Sequence, residues 1–102
     1  MKKKNKVSAL VTAKNEERQI ESCLKTLDFA DEIVLVLDSC NDKTEIISKN
    51  YTNNIFHKSF KKEGERRNFG ISKCKYDWIF EIDADERVTE GLKTEINKII
   101  NE

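Results

Sequence analysis

The 102-residue sequence contains no proline and only three glycines. Apart from the Lys2–Lys4 run it has no low-complexity segment, so nothing marks an internal linker. It also lacks an excess of either charge, with nineteen Lys+Arg against nineteen Asp+Glu. A chain without a basic surplus has no general attraction for a polyanion, and no nucleic-acid partner is expected. Long apolar runs are missing too. The longest, Ile33 to Leu37, falls far short of the roughly 20 residues that a membrane-spanning helix needs. No long apolar stretch follows the basic residues 1–6 as it would in a secretory leader. These absences point to a cytoplasmic protein with at most peripheral contact, through Lys2–Lys4, at the inner face of the membrane. The three cysteines, Cys23, Cys40 and Cys74, are odd in number, widely spaced and without a CxxC pair. Neither a disulfide framework nor a zinc site is expected, and the thiols read as reduced. Hydrophobic residues make up only 37%. A domain of this size buries roughly 60–70% of its unfolded surface, so marginal stability is expected.

What is present alternates between two periods. Val7 to Ala13 is short, uncharged and rich in β-branched residues, the pattern of a buried strand. Asn15 is placed to cap a helix with Glu16 and Glu17 in its first turn, and Ile20, Cys23, Leu24 and Leu27 form its apolar stripe. Glu32 to Asp38 is a near-continuous apolar run, as in a parallel strand covered on both faces. Asp42-Lys-Thr-Glu45 has the spacing of a capping box, opening a helix through Ile46, Ile47 and Tyr51. A weaker strand is predicted at Asn54 to His57, with His57 lacking an evident partner. A polar loop then leads to a helix from Gly64 or Glu65 carrying Arg67, Phe69, Ile71 and Cys74. Asp77 to Ile82 is a strand, with Trp78 and Phe80 expected in the core. Thr89 caps a last helix with Leu92, Ile96, Ile99 and Ile100 on one stripe. The order βαβαβαβα predicts a Rossmann-like three-layer α/β/α fold around a mostly parallel sheet of about four strands. Ligands of such sheets sit beyond the carboxyl ends of the strands, near the switch point.

Those ends read Thr12-Ala-Lys-Asn-Glu16, Asp38-Ser-Cys-Asn-Asp42 and Asp83-Ala-Asp-Glu86, with Arg66, Arg67 and Asn68 at the start of the helix before the last strand. Two carboxylates one residue apart after a strand can hold a hard divalent cation that bridges phosphate oxygens. Asp38 can accept a hydrogen bond from a base imide or a ribose hydroxyl. Arg67 offers a planar fork to a diphosphate or a base carbonyl. Each pattern alone also has an ordinary explanation. An Asp-x-Asp can simply end strand pairing, Asp38 can form a turn, and the two arginines can be a solvated helix face. Cys40 lies near these residues, but nothing nearby builds a reactive thiol.

Taken together, the residues from Val7 to about Ile100 resemble the family 2 inverting glycosyltransferases of the GT-A fold. The pieces that carry the likeness are Val-Ser-Ala-Leu-Val-Thr-Ala-Lys-Asn-Glu-Glu (7 to 17), Glu-Ile-Val-Leu-Val-Leu-Asp (32 to 38), Arg-Asn-Phe-Gly-Ile (67 to 71) and Trp-Ile-Phe-Glu-Ile-Asp-Ala-Asp-Glu-Arg (78 to 87). The last piece looks like the branch that includes lipopolysaccharide-core glucosyltransferases. The resemblance implies that 1–6 is a tail and 7–102 a donor-nucleotide-binding portion. It places Thr12, Ala13, Lys14, Asn15, Glu16, Asp38, Arg67, Asp83 and Ala84 at a nucleotide-diphospho-sugar, a UDP-sugar by this likeness. It puts Asp83 and Asp85 at Mg²⁺ or Mn²⁺. The implied reaction is inverting transfer of the sugar to an acceptor hydroxyl.

Two departures stand out. The loop after Asp38 lacks the family's glycine-containing turn, and the sequence stops one helix after Asp85, before the acceptor half that carries the family's catalytic base. A donor half-site that is inactive alone is therefore expected: a fragment, a product of a split or decayed gene, or one part of an enzyme completed by a second chain. The alternative is a non-catalytic nucleotide- or metal-binding module or the remnant of a split gene. A phosphoacceptor signalling domain of similar βα order would want an acidic pair after the first strand, where Thr12-Ala13-Lys14 stands instead.

Overall fold

The computed structural model describes residues 5–102, so the Lys2–Lys4 tail lies outside the described residues. Four strands, β1 (Val7–Ala13), β2 (Glu32–Leu37), β3 (Ile55–His57) and β4 (Trp78–Asp83), form one sheet in the order β3-β2-β1-β4. All three pairings are parallel. The helices are α1 (Ile20–Lys25), α2 (Thr44–Ser48), α3 (Glu63–Lys73) and α4 (Glu90–Ile100). The chain moves outward from β1 through β2 to β3, then crosses to place β4 on the opposite side of β1. This reversal makes the β1–β4 boundary the switch point.

Strand alternation sorts the core into two layers. Ala9, Val11, Ala13, Leu35, Leu37 and Ile82 face one side, where they pack with Ile20, Cys23, Leu24 and Leu27 of the α1 region and with Ile47 and Ile96. Leu10, Val34 and Val36 face the other side, covered by Phe56, Phe60, Phe69, Cys74 and Ile79. Helices α1, α2 and α4 thus share one face, and α3 alone covers the other. Gly70 is what lets α3 approach: a Cβ there would lie 2.7 Å from Leu10 Cδ1.

Several local expectations need correction. Asn15 caps no helix: it sits at φ 52°, in the left-handed region, and α1 starts only at Ile20. The N–H of Asn15 donates to Cys40 Sγ, that of Glu16 to Thr44 Oγ1 and that of Glu17 to Asp42 Oδ2, so the loop after β2 satisfies this segment from outside. The capping box at Asp42 does not close. Asp42 Oδ1 instead accepts from the N–H and hydroxyl of Thr44, while Glu45 pairs with His57 and Lys49. His57 therefore does have a partner. Helix α3 begins at Glu63, one residue earlier than read. Thr89 does cap α4, its Oγ1 accepting from the N–H of Leu92 at 3.1 Å.

The stripe on α4 is only partly used. Ile100 is buried, but Leu92 and Ile99 are exposed, and Trp78 on β4 is 43% exposed rather than a core residue. Trp78, Ile99 and Ile100 lie on the side of the molecule where β4 is the outermost strand of the sheet. Val7, Trp78, Ile79, Phe80, Ile96, Ile99 and Ile100 line an apolar groove of about 190 Å³ there. An open strand edge beside apolar surface favours association between copies. Sedimentation velocity at rising concentration should show this chain moving from monomer to larger species, with Trp78→Lys suppressing the shift. A monomer at every concentration would contradict the expectation.

Candidate functional site

The carboxyl ends of β1 and β4 meet at the switch point. Thr12 pairs in register with Asp83, and its hydroxyl donates to Asp83 Oδ1 at 3.1 Å. The Ala84 N–H donates to the Thr12 carbonyl, and the Glu86 N–H to the Asp83 carbonyl at 2.9 Å. Glu86 Oε1 in turn accepts from the Asp83 N–H at 2.9 Å. The chain leaving β4 is thereby folded into a tight turn. Within it, one carboxylate oxygen each from Asp83, Asp85 and Glu86 lies within 4.8 Å of the others, and all three residues are exposed. Three hard oxygen donors at that separation suit Mg²⁺ or Mn²⁺ in donor type. They also repel one another, and a cation between them would relieve this.

Two clefts of about 180 Å³ each open beside this turn. The first is lined by Thr12, Ala13, Lys14, Glu16, Arg66, Asp83, Ala84 and Asp85. It brings together every candidate from the ends of β1 and β4 except Asn15, whose side chain turns away to accept from the Asn41 N–H. Arg67 stands in the second cleft, where its Nε donates to Glu81 at 3.1 Å. Asp38 lines neither. Its Oδ1 accepts from the Ser39 hydroxyl and the Phe60 N–H, and its Oδ2 from Arg66 Nη1 at 3.4 Å.

Arg66 is the residue that sequence reasoning passed over in favour of its neighbour. It lines both clefts, is less exposed than Arg67, and connects the end of β2 to the cleft through its ion pair with Asp38. The arginine doublet signalled that one of the two would face the strand ends. It did not say which, because that depends on the phase of α3, set by Gly70 packing on Leu10.

The exits of β1 and β2 each carry one left-handed residue, Asn15 at φ 52° and Ser39 at φ 57°. Asparagine tolerates this region better than most residues. The reversals bring the two loops together, and the thiol of Cys40 also donates to the Ala13 carbonyl. Burial pushes the Cys40 thiol above its ordinary pKa, so it is a neutral structural group rather than a nucleophile. Burial likewise pushes Cys23 up to about 11.

A parallel α/β sheet with acidic and basic side chains at its switch point defines the class. The particular family follows from comparison with known proteins: residues 8–102 match the glycosyl transferase family 2 model, and the chain belongs to that family. An uncharacterized glycosyltransferase of Rickettsia bellii is 35% identical over 95 residues, covering 92% of this chain and 32% of the relative. The lipopolysaccharide core biosynthesis glycosyltransferase LpsC of Rhizobium meliloti is 27% identical over 92 residues, 85% of this chain and 34% of LpsC. The fold matches that of the mannosyltransferase PcManGT from Pyrobaculum calidifontis, solved with GDP-Man and Mn²⁺. The TM-score is 0.78 at 17% identity, over 95% of this chain and 32% of that one. The sheet and its helices are those of the GT-A glycosyltransferases. The chain spans about a third of the length of the relatives it matches. Among the described residues, no helix is long and apolar enough to cross a membrane.

Proposed function

We propose that residues 7–102 are the donor-binding portion of an inverting glycosyltransferase, holding a nucleotide-diphospho-sugar whose sugar passes to an acceptor hydroxyl. One observation carries this reading: Thr12, Ala13, Lys14, Glu16, Asp83, Ala84 and Asp85 line a single cleft at the switch point, beside a cluster of three carboxylates. Asp83, Asp85 and Glu86 would hold Mg²⁺ or Mn²⁺, which when bound would stabilise charge on the departing diphosphate. Thr12 holds the Asp83 carboxylate in place. Lys14 adds a positive charge for the phosphates. Asp38, aligned by Arg66 and Ser39, offers an acceptor to a base imide or ribose hydroxyl. UDP is the favoured nucleotide on the sequence resemblance, and the pairing of PcManGT with GDP-Man makes GDP the comparison to run.

The likeness to LpsC supports a role in lipopolysaccharide or other cell-envelope glycan synthesis, in the cytoplasm or at the inner membrane face. The chain spans about a third of its relatives' length, and in this reading the acceptor-binding part and the base lie outside residues 7–102, in the rest of a longer protein or in a second chain. Residues 7–102 by themselves would bind the donor without completing transfer. A non-catalytic nucleotide- or metal-binding module is the second reading.

Amide NMR of the chain, titrated with UDP or GDP with and without Mg²⁺, tests the proposal. Resonances of Thr12 to Glu16 and Asp83 to Glu86 are expected to shift only when nucleotide and metal are both present. A folded spectrum that is blind to both nucleotides would overturn it.

A further inference from the structure

Arg87 follows the acidic turn directly but lines neither cleft. Its guanidinium folds back onto the turn instead. Nη1 donates to the carbonyls of Ala84 at 3.1 Å and Glu86 at 2.8 Å, and Nη2 donates to Oε1 of Gln19 at 2.5 Å. Gln19 is the N-cap of α1, and Thr26 is its C-cap. The same helix reaches the turn twice more. Cys23 Sγ donates to the Asp83 carbonyl at 3.7 Å, and the Val88 N–H donates to Thr26 Oγ1 at 3.1 Å. One short helix and its two cap residues thus fasten the segment from Asp83 to Val88 at three points, and at one of them Arg87 also holds two carbonyls of the turn.

The consequence lies in peptide geometry. The Ala84 carbonyl and the Asp85 N–H belong to one planar unit, and the Glu86 carbonyl closes the next stretch of the turn. Fixing both carbonyls fixes the peptide planes that flank Asp85 and Glu86, and with them the directions in which these side chains leave the backbone. We propose that Arg87 is a positioning residue for a divalent cation: it locks the turn so that Asp83, Asp85 and Glu86 converge, without itself touching the metal. This rests on the reading that these carboxylates hold the metal. The fork reaches two carbonyls from Nη1 and the amide oxygen from Nη2 in a fixed plane, a spread that the single nitrogen of lysine does not reproduce.

The sign of the effect separates positioning from charge. A guanidinium beside the turn opposes a cation electrostatically, so removing its charge alone would tighten metal binding. Loss of positioning would weaken it, and outer groups that orient metal ligands typically contribute about 10–100-fold in affinity. Binding of Mn²⁺ by the full chain with UDP present is read from the electron paramagnetic resonance signal of free Mn²⁺. Arg87→Ala and Arg87→Lys are both expected to weaken it by about 10-fold or more. Gln19→Ala, which removes one of the three contacts, should weaken it less and serves as the test if Arg87→Ala does not fold. Binding by Arg87→Ala or Arg87→Lys that equals or exceeds wild type overturns the proposal. A wild-type chain that binds no Mn²⁺ overturns the metal reading instead.

Discussion

Asp85→Ala is expected to abolish metal-dependent binding of UDP, raising the dissociation constant by at least about 100-fold, or about 2.8 kcal/mol. The substitution removes one of three oxygen donors from an exposed cluster, and an exposed side chain contributes little to folding. The thermal midpoint should therefore stay nearly unchanged. Asp83→Ala provides the contrast: it also removes the acceptor for the Thr12 hydroxyl that joins β4 to β1. A lost hydrogen bond of that kind costs about 1 kcal/mol, so this variant should lose both binding and stability. Isothermal calorimetry with Mg²⁺ and UDP, beside a melting curve, reads both quantities. Undiminished metal-dependent binding by Asp85→Ala would remove that residue from the site.

The second large effect is in folding. Leu10→Ala should cost about 3 kcal/mol, because Leu10 is fully buried between the sheet and α3. That is a large share of the roughly 5–15 kcal/mol that holds a domain together. Gly70→Ala in the wild-type background places a Cβ 2.7 Å from Leu10 Cδ1, and overpacking of this kind costs about 1–3 kcal/mol. In the Leu10→Ala background the obstruction is gone. The same substitution then gains helix propensity worth about 1 kcal/mol and becomes stabilising. Urea unfolding of the four proteins should reveal strong non-additivity. Additive effects would mean that the helix is not seated on Leu10.

Strands were legible because each is short and apolar with clear polar boundaries, as Val7–Ala13 and Glu32–Leu37 show. The cap at Thr89 was legible because its partner, Leu92, is three residues away. Asn15 and Asp42 were misread for the opposite reason. The partners of Asn15 come from another loop about 25 residues distant, and Asp42 divides its carboxylate between Thr44, two residues on, and the N–H of Glu17 across that loop. Trp78 was misread because composition says how apolar a side chain is, not whether anything covers it. The acidic turn stood out as a motif, but Arg87 did not. Its function depends on two backbone carbonyls and on Gln19, which lies 68 positions earlier.

The hydrogen bond between Thr12 and Asp83 closes a loop of 71 positions. The cleft it lines cannot exist until β4 has docked, since one wall belongs to β1 and the other to the end of β4. Long-range closures of this kind form slowly. On the ribosome, a nascent chain would carry β1, β2 and β3 well before it could recognise anything. Binding at this cleft would thus require β4 to have docked on β1, and occupancy would draw the equilibrium toward chains in which it has.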